Sequence, residues 1–401
     1  MNTTKRFAGL GLLTAGSIGA TVQSALAMQS PPHVTPVDAT VQPPPAGHAQ
    51  WPFVSIIVPA RNEERNLPRL LPTLLGQRYP NFEVIVVDDQ STDATPRVLE
   101  EWTGRDSRLR VVRGAGLLPG WKGKPNAMRQ GVEAARGEWL LFTDADTTHE
   151  PLTLASTIAY ALKHQVDLLT IVPCPELHTV WEKVIMPVAY EGIFALHPAY
   201  RVNDPNSRIA IANGQYILIR REVYGKVGGI GRVKNEIAED LEFGKAVKHD
   251  GHRLVLADGR HLMSVRMYTN LREIWEGWSK NVVLSFSRNP IEGLGAVGGT
   301  LTLTVVPVLM ARWALLSWRT ANATRRKEDR IAAYWTSVLA GWVIAGPFIY
   351  RARIDRLLGL SPVWTLTQPI GAAMFSAILL HSIYRLATGR GVTWKGRVYH
   401  E

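Results

Sequence analysis

The chain has 401 residues, with 45 Lys and Arg against 34 Asp and Glu, and a formal net charge of +11. Its single cysteine, Cys174, excludes an intrachain disulfide. A basic balance is compatible with nucleic acid, anionic lipid or anionic substrates. No Lys/Arg-rich block or nucleic-acid motif occurs, and the basic residues crowd the last third between apolar segments, so lipid contact is predicted and a nucleic-acid partner is not.

The N-terminal segment, residues 1–27, is typical of a signal or anchor. A basic pair precedes an apolar run over residues 7–22, and Ala-Leu-Ala at 25–27 matches a cleavage site. Residues 28–52 are rich in proline and are predicted to form an extended linker.

Short β-branched runs then alternate with helical patterns across residues 53–270. The predicted strands are 54–58, 83–88, 109–113, 139–143 and 167–171, and the predicted helices are 64–76, 93–102, 124–136 and 151–164. This alternation predicts an α/β fold with a Rossmann-like, mostly parallel sheet covered on both faces. Ligands in such sheets bind at the carboxyl ends of the strands.

The remaining chain predicts contact with a membrane. Residues 271–290 form an amphipathic helix whose tryptophan-bearing face suits either a membrane interface or a protein core. Residues 291–387 are predicted membrane segments, followed by a basic tail over 388–401. The apolar segments are 291–318, 331–350 and 363–384. The last two have the length of transmembrane helices, whereas the first, interrupted by Pro307, suits a tilted span or two re-entrant half-helices.

Carboxylates follow two of the predicted strands. Asp144 and Asp146, spaced i, i+2, follow the fourth strand, and Asp88 and Asp89 end the second. An Asp-x-Asp pair is common in surface turns, but at the end of a buried strand it suits a hard divalent cation that also contacts a diphosphate. Because all four carboxylates are predicted at strand carboxyl ends, one shared site is expected.

Five stretches in a fixed order resemble the family 2 glycosyltransferases, which have an A-type glycosyltransferase fold and transfer a sugar from a nucleotide diphosphate. They are VPARNEE (58–64), VVDDQSTD (86–93), GWKGKPNA (120–127), FTDADT (142–147) and EDLEFGKAVKHDG (239–251). The resemblance covers about residues 52–290. It is strongest to membrane-bound bacterial enzymes of carotenoid and hopanoid pathways, with the terminal GVTWKGRVY (391–399) in support.

The resemblance implies a nucleotide site in the loops after the first two strands. It assigns nucleotide binding to Pro59, Ala60 and Glu63, and contact with uracil or ribose to Asp89. From the residues alone, Glu63 also suits an acid that interacts with a helix dipole, and Ser91 suits a helix cap.

A metal and a phosphate contact are also implied. In the resembling family the second Asp, here Asp146, is the direct ligand of Mg²⁺ or Mn²⁺, and the first, Asp144, contacts ribose or metal-bound water. Lys124 is implied beside the phosphates, with a solvated lysine as the alternative. His149 is compatible with a further metal ligand or, more simply, a surface histidine.

On the acceptor side, the resemblance makes Asp240 the general base, which takes the proton of the attacking hydroxyl. Glu239 beside it, and Gly214 and Gln215 before a predicted strand, match acceptor-side elements. The simpler interpretations are acids at a helix start and an ordinary turn.

Processive polysaccharide synthases of this family carry a Gln-x-x-Arg-Trp motif after the base. Here the corresponding stretch is EGWSKN at 276–281, in which Trp278 and Lys280 are predicted to serve on the acceptor side. Because the motif is absent, we expect transfer of one sugar.

The sequence therefore predicts inverting, metal-dependent transfer of one sugar from a nucleotide-diphosphate sugar, a UDP-hexose, to a hydroxyl or carboxyl group of a lipid or terpenoid. One alternative is a nucleotidyltransferase, although no glycine-rich phosphate loop follows the first strand. Another is a catalytically silent membrane scaffold that binds nucleotide sugars.

Nucleotide sugars are cytosolic, so a multi-pass protein of the bacterial inner membrane with a cytoplasmic catalytic domain is expected. The signal-like segment argues for export. If 291–318 spans once, the basic stretch 319–330 also lies outside, against the positive-inside tendency. A re-entrant 291–318 segment would resolve that conflict.

Overall fold

The computed structural model describes residues 30–388 except 46, 237 and 287–289, together with two strands at 392–394 and 397–399. The predicted signal or anchor over 1–27 lies outside the described residues. The chain divides into two compact units. The sheet unit comprises Gln29–Glu176 and Ala199–Met267, and the helical unit comprises Leu177–Pro198 and the chain from Tyr268 onward.

The sheet unit is interrupted in sequence by one segment of the helical unit, so its helices and strands lie before and after that segment in the chain. Before that segment are β1 (Val54–Ala60), α1 (Leu67–Leu75), β2 (Phe82–Asp88), α2 (Thr95–Thr103), β3 (Leu109–Arg113), α3 (Gly123–Ala134), β4 (Trp139–Phe142), β5 (Thr147–His149), α4 (Thr153–Lys163), β6 (Leu168–Val172) and β7 (Cys174–Pro175). Helix α5 (Val180–Leu196) then belongs to the helical unit. The sheet unit resumes with α6 (Ala199–Val202), β8 (Ile217–Arg220), α7 (Arg221–Lys226), a 3₁₀ turn (Gly229–Val233), α8 (Glu239–His249), β9 (Leu254–Asp258) and β10 (Met263–Val265).

The main sheet is mostly parallel, as predicted. Its strand order is β3-β2-β1-β4-β8-β6-β9, and only β8 runs antiparallel to its neighbours among these strands. A small second sheet pairs β5, β10 and β7. The five predicted strands match β1, β2, β3, β4 and β6 to within two residues at each end. This arrangement brings the carboxyl ends of β1, β2 and β4 side by side at one edge.

Both faces of the sheet are covered, which explains why its strands are nearly continuously apolar. Successive residues of β1 point to opposite faces. Ile56 and Val58 lie in a core cluster with α1 and α4, whereas Ile57 lies in another with α3 and α8. Burial on both sides therefore holds the loops after β1, β2 and β4 on a rigid base.

The proline-rich segment differs from the predicted linker. Val34 is fully buried, and its N–H donates to the carbonyl of Asp258 at the end of β9. Trp51 is also buried, and Tyr79 packs edge-on against its ring. Parts of the predicted linker therefore pack in the core of the sheet unit, at Val34, Ala39 and Trp51, whereas residues 40–43 and 47–50 are exposed.

The helical unit contains α5 and the C-terminal helices. These are α9 (Leu271–Phe286), α10 (Pro290–Thr324), α11 (Lys327–Leu357), a 3₁₀ turn (Pro362–Thr367) and α12 (Gln368–Ala387), followed by a hairpin of β11 (Val392–Trp394) and β12 (Arg397–Tyr399). In the described chain, the segments Lys327–Leu357 and Pro362–Arg385 are long and apolar enough to cross a membrane.

Helix α10 corrects two expectations. It continues through Pro307, so the predicted pair of re-entrant half-helices is wrong. The predicted basic loop 319–330 shrinks to Arg325 and Arg326, because α10 ends at Thr324 and α11 begins at Lys327.

A buried arginine joins α5 to α11. Pro187 lies inside α5 and has no N–H for the carbonyl of Lys183, four residues earlier. Arg351 of α11 supplies the missing donor: its Nη2 lies 2.7 Å from that carbonyl oxygen, and its Nη1 lies 3.2 Å from the carbonyl oxygen of Val184. Its Nε donates to Asp355 at 2.7 Å, and both side chains are essentially fully buried.

Candidate active site

The loops after β1 and β2 are joined by hydrogen bonds. The N–H of Asn62 donates to Ser91 Oγ at 3.0 Å, and the N–H of Thr92 donates to Asn62 Oδ1 at 2.8 Å. Arg61 donates to the carbonyl of Asp89 at 2.7 Å. Asn62 and Gln90 take left-handed backbone conformations, with φ of 52° and 56°. The predicted nucleotide loops therefore form one preorganised surface.

The predicted nucleotide residues lie in or beside these loops. Ala60 is buried, and its carbonyl accepts the N–H of Asp89 at 2.8 Å, while Pro59 is half-buried. Glu63 is 8% exposed, and its carboxylate accepts from Asn66 Nδ2 at 2.6 Å, next to the start of α1. This contact supports the simpler interpretation of Glu63, as an acid that orders a helix start. Nucleotide contact by these residues stays a prediction.

Lys124 connects two of the predicted acids. Its Nζ lies 2.7 Å from Asp144 Oδ1 and 2.9 Å from Glu239 Oε1. Burial alone would lower the pKa of Lys124, but the carboxylates of Asp144, Glu239 and Asp240 outweigh it and hold that pKa well above its ordinary value. The side chain, which is 34% exposed, is therefore a cation paired with carboxylates rather than an isolated solvated lysine, and its contact with phosphates stays a prediction.

Asp240 lies beside this cation and is held by backbone donors. Its Oδ2 accepts the N–H of Gly214 at 2.8 Å, and its Oδ1 accepts the N–H of Leu241 at 2.8 Å. A Cβ on Gly214 would lie 2.9 Å from both Asp240 Oδ2 and Lys124 Nζ. Gln215 follows, and its Oε1 accepts from Asn213 Nδ2 at 3.2 Å. Glycine is thus the residue that lets this turn approach the acidic cluster.

The donor set of the metal loop fits a hard cation. Asp144 and Asp146 follow β4, both are partly exposed, and the carbonyl of Asp146 accepts the N–H of Arg266 at 3.0 Å. Carboxylate oxygens accessible from solvent are ligands that suit Mg²⁺ and Mn²⁺.

A second group of potential ligands lies elsewhere in the sheet unit. His33, Asp258 and His261 offer ligand atoms within 4.8 Å of one another. However, Arg260 donates twice to the Asp258 carboxylate, at 3.0 and 2.7 Å, and thus already neutralises it.

His149 is neither at the surface nor among the carboxylates. It is 5% exposed, and its Nε2 lies 3.2 Å from Thr143 Oγ1 and 3.1 Å from Thr147 Oγ1. Burial lowers its pKa to about 3. Sequence reasoning missed both threonines, although polar side chains on either side of Asp144-Ala145-Asp146, at the end of an apolar strand, were an available signal.

Trp278 and Lys280 lie on α9 in the helical unit. Trp278 Nε1 contacts Met186 Sδ of α5 at 3.3 Å, and its ring packs edge-on against Phe375 of α12. Trp275 Nε1 donates to His381 Nδ1 at 3.0 Å. The apolar face of α9 therefore packs on protein at Trp275 and Trp278, which favours the core-facing alternative for residues 271–280 of the predicted segment 271–290. The acceptor-side role of Trp278 and Lys280 stays a prediction.

The fold is a mostly parallel α/β sheet. Acids lie at the carboxyl ends of β2 and β4, and a further acidic pair lies at the start of α8. This combination defines the class of A-type nucleotide-sugar transferases. The family model described as "Glycosyl transferase family 2" matches residues 55–228. Residues 55–228 thus match a family 2 glycosyltransferase domain, and the chain is a glycosyltransferase that uses a nucleotide-sugar donor.

Known proteins agree with this assignment. The chain is 26% identical over 355 residues to 4,4'-diaponeurosporenoate glycosyltransferase of Staphylococcus aureus strain USA300, covering 86% of this chain and 88% of that one. A mannosyltransferase from Pyrobaculum calidifontis, solved in complex with GDP-Man and Mn²⁺, superposes with a TM-score of 0.55 at 20% identity, covering 88% of this chain and 99% of that one. The predicted family, fold and enzyme class are confirmed.

Proposed function

We propose that the enzyme transfers one sugar from a nucleotide-diphosphate sugar, a UDP-hexose, to a hydroxyl or carboxyl group of a lipid or terpenoid acceptor, with inversion at the anomeric carbon. The observation that carries the proposal is the cluster in which Lys124 joins Asp144 to Glu239 beside Asp240. It brings together the residues proposed to hold a metal, a diphosphate and an acceptor. The name of the staphylococcal relative, which specifies a carotenoid-derived acid, supports an apolar acceptor.

On the donor side, the loops after β1 and β2 would bind the nucleoside, and charged side chains would bind the diphosphate and its metal ion. The joined loops after β1 and β2 offer a preorganised surface for the nucleoside, with Asp89 buried at its base. The ammonium of Lys124 places positive charge where a diphosphate would lie. Asp144 and Asp146 would hold Mg²⁺ or Mn²⁺, which neutralises charge on a leaving diphosphate. The Mn²⁺ of the mannosyltransferase complex supports this metal requirement.

The acceptor side depends on Asp240. As the acceptor oxygen forms its bond to the anomeric carbon, the bond to the diphosphate breaks and its electron pair leaves with the phosphate. Asp240 takes the proton of an acceptor hydroxyl during that step. The backbone N–H groups of Gly214 and Leu241 hold its carboxylate in place. Attack on the face opposite the leaving group inverts the anomeric centre.

The two alternatives have less support. Nucleotidyl transfer gives Asp240 no task, and the family match is to a glycosyltransferase. A silent scaffold that binds nucleotide sugars has no need for a base, whereas backbone N–H groups hold the Asp240 carboxylate beside Lys124.

The first experiment uses detergent-solubilised enzyme, radiolabelled UDP-glucose, Mn²⁺ or Mg²⁺ and a lipid extract. We expect label in the organic phase, and its loss with chelator or in Asp146→Asn. Asp204→Asn, which changes an exposed Asp of the same unit, is the control. Label that persists with chelator would contradict the metal requirement, and absence of label with every donor sugar would contradict the proposed transfer.

Asp240→Asn distinguishes the two acceptor chemistries. A hydroxyl acceptor must lose a proton, so loss of the base should lower turnover by about 10²–10⁴-fold. A carboxylate acceptor is already ionised at neutral pH, so the same variant should lose far less. Turnover measured with alcohol and carboxylic acid acceptors of matched apolar tails decides between them.

We further propose that Lys327–Leu357 and Pro362–Arg385 place the enzyme in the bacterial cell membrane as a multi-pass protein, with the sheet unit on the cytoplasmic side where nucleotide sugars occur. The length and apolar composition of these segments support the proposal. Labelled donor added to inverted vesicles should then be used, whereas donor added to intact spheroplasts should not. The opposite pattern would place the sheet unit outside.

A further inference from the structure

We propose that His149, as a neutral imidazole with its proton on Nε2, is a positioning residue that couples the metal-binding loop to the turn that holds Asp240. The coupling serves the reaction proposed above and therefore rests on that function. His149 ends β5, whose partner is β10, so its backbone is fixed by the small second sheet.

The hydroxyl protons near His149 are already used. Thr143 Oγ1 donates to the carbonyl of Gln215 at 2.8 Å, and Thr147 Oγ1 donates to the carbonyl of Asp144 at 2.8 Å. Each hydroxyl has one proton and two lone pairs. The two hydroxyl oxygens also lie 3.1 Å apart, but a proton placed between them would be withdrawn from one of the two carbonyls. With both carbonyls hydrogen-bonded, both oxygens can only accept from Nε2, which lies 3.2 and 3.1 Å away. The geometry assigns the Nε2–H form, with one N–H shared between two oxygens.

The opposite tautomer is unfavourable. If Nε2 accepted, one threonine would have to turn its proton away from a backbone carbonyl. Leaving a buried acceptor unsatisfied costs about 1–3 kcal/mol, and Thr143 and Thr147 are 0% and 1% exposed. The lowered pKa of the buried imidazole also supports a neutral ring.

The shared N–H joins two parts of the site. Through Thr147 it reaches the carbonyl of Asp144 in the metal loop. Through Thr143 it reaches the carbonyl of Gln215, and the N–H of the preceding Gly214 donates to Asp240. The distance between the metal loop and the base therefore depends on this buried junction.

Two substitutions separate the hydrogen bond from the bulk of the ring. His149→Gln places an amide N–H near the position of Nε2, whereas His149→Phe fills similar space without a donor. We expect His149→Phe to lower turnover by about 100-fold, as misplacement of reacting groups by about 1 Å does, with nucleotide affinity retained. His149→Gln should restore most of the turnover.

The matched control is Ser156→Ala. Ser156 is 1% exposed in the same unit, and its Oγ accepts the N–H of Val37 at 2.9 Å, away from both loops. A merely structural His149 would lower the melting temperature of His149→Phe as Ser156→Ala does, but leave turnover per folded molecule unchanged. That result, or a His149→Gln variant that folds but stays as slow as His149→Phe, overturns the proposal.

A measurement independent of activity tests the tautomer. In ¹⁵N-histidine-labelled enzyme, with the signal assigned by its loss in His149→Gln, we expect a protonated Nε2, an unprotonated Nδ1 and no titration between about pH 5 and pH 8. A proton on Nδ1 overturns the proposal. If the wild-type enzyme transferred no sugar, the proposed function would fail, while this spectrum would still decide the hydrogen-bond arrangement.

Discussion

At the scale of single residues, the site depends on contacts between residues that are far apart in sequence. Asp144 and Asp146 could be predicted because their position after an apolar strand is a local pattern. The contact of Lys124 with Glu239 could not, because 115 residues separate them and only the folded sheet brings α3 and α8 together. His149 was misjudged although its partners Thr143 and Thr147 are close in sequence, because polar residues are mostly exposed and only the folded chain shows all three to be buried.

Gly214→Ala tests the close approach of the turn to the acids. The new methyl group would lie 2.9 Å from Asp240 Oδ2 and Lys124 Nζ, so both side chains must move while the backbone need not. We expect turnover to fall by about 10–100-fold, the effect of a misplaced catalytic group, with the melting temperature little changed. Gly225→Ala, where nothing lies within 4 Å, is the control. Unchanged turnover in Gly214→Ala would show that the base tolerates displacement.

Lys124→Met tests the cation in the acidic cluster. The variant leaves Asp144 and Glu239 without their shared partner, so we expect nucleotide-sugar affinity to fall by about tenfold or more, as for loss of a charge-assisted hydrogen bond. Titration calorimetry with the donor measures this. Equal donor affinity in Lys124→Met and wild type would contradict a phosphate role.

The pH dependence of the same variant has a defined sign. Because the pKa of Lys124 is raised from 10.5, its stabilising contribution is complete below that value and is lost only as the pH rises through the higher folded-state pKa. The stability difference between wild type and Lys124→Met should therefore be constant between about pH 6 and pH 9. Denaturant unfolding at several pH values checks it: the difference should shrink only above about pH 10.5, and a difference that stays constant well above that pH would show an unshifted lysine.

At the scale of helices and strands, sequence periodicity predicted the strands of the sheet better than it predicted where a helix is interrupted. The strands of the sheet could be predicted because short apolar runs rich in β-branched residues are typical of buried strands. A break at Pro307 was one of two alternatives for this segment, and the helix instead continues through it. A proline removes one hydrogen bond from a helix, and surrounding contacts decide whether the helix tolerates that loss.

Pro187 and Arg351 test that principle in α5. Arg351→Met removes the donor of the Lys183 carbonyl and the cation beside the buried Asp355 carboxylate, which still accepts from the Thr365 hydroxyl, so we expect a loss of about 3–5 kcal/mol in the free energy of unfolding. Pro187→Ala restores an N–H to that carbonyl, so the loss should shrink by about 1–3 kcal/mol in the double variant. Unfolding in detergent measures the cycle. As a control, Pro307→Ala in α10 should leave the loss of unfolding free energy caused by Arg351→Met unchanged. If the effects of Pro187→Ala and Arg351→Met on the free energy of unfolding are additive, Arg351 does not replace the hydrogen bond that Pro187 lacks.

At the scale of the whole molecule, composition predicted the apolar C-terminal helices but not the division into units. The predicted catalytic segment 53–270 was treated as continuous, whereas Leu177–Pro198 within it belongs to the helical unit. Helix α5 is largely apolar, as a sheet-covering helix would also be, so pattern alone could not assign it.

Membrane association should be hydrophobic rather than electrostatic. Large apolar side chains are exposed on α11 and α12, among them Trp335, Trp342 and Ile370. We therefore expect the enzyme to stay with membranes at about 1 M salt, where the Debye length falls to about 3 Å, and to be released by detergent. Release by salt alone would attribute binding to the net charge of +11.

The position of α5 in the chain has a consequence for biosynthesis. Pro187 leaves the ribosome about 160 residues before Arg351, which at about 5–20 residues per second is an interval of roughly 8–30 s. During that time Val184, Ile185 and Met186, which are buried in the finished protein, have no C-terminal helices to cover them. At this stage we expect chaperones or the membrane itself to bind these apolar residues of the nascent chain. For the same reason, cutting the chain after Met267 would not liberate a soluble catalytic domain; α5 would have to be replaced as well.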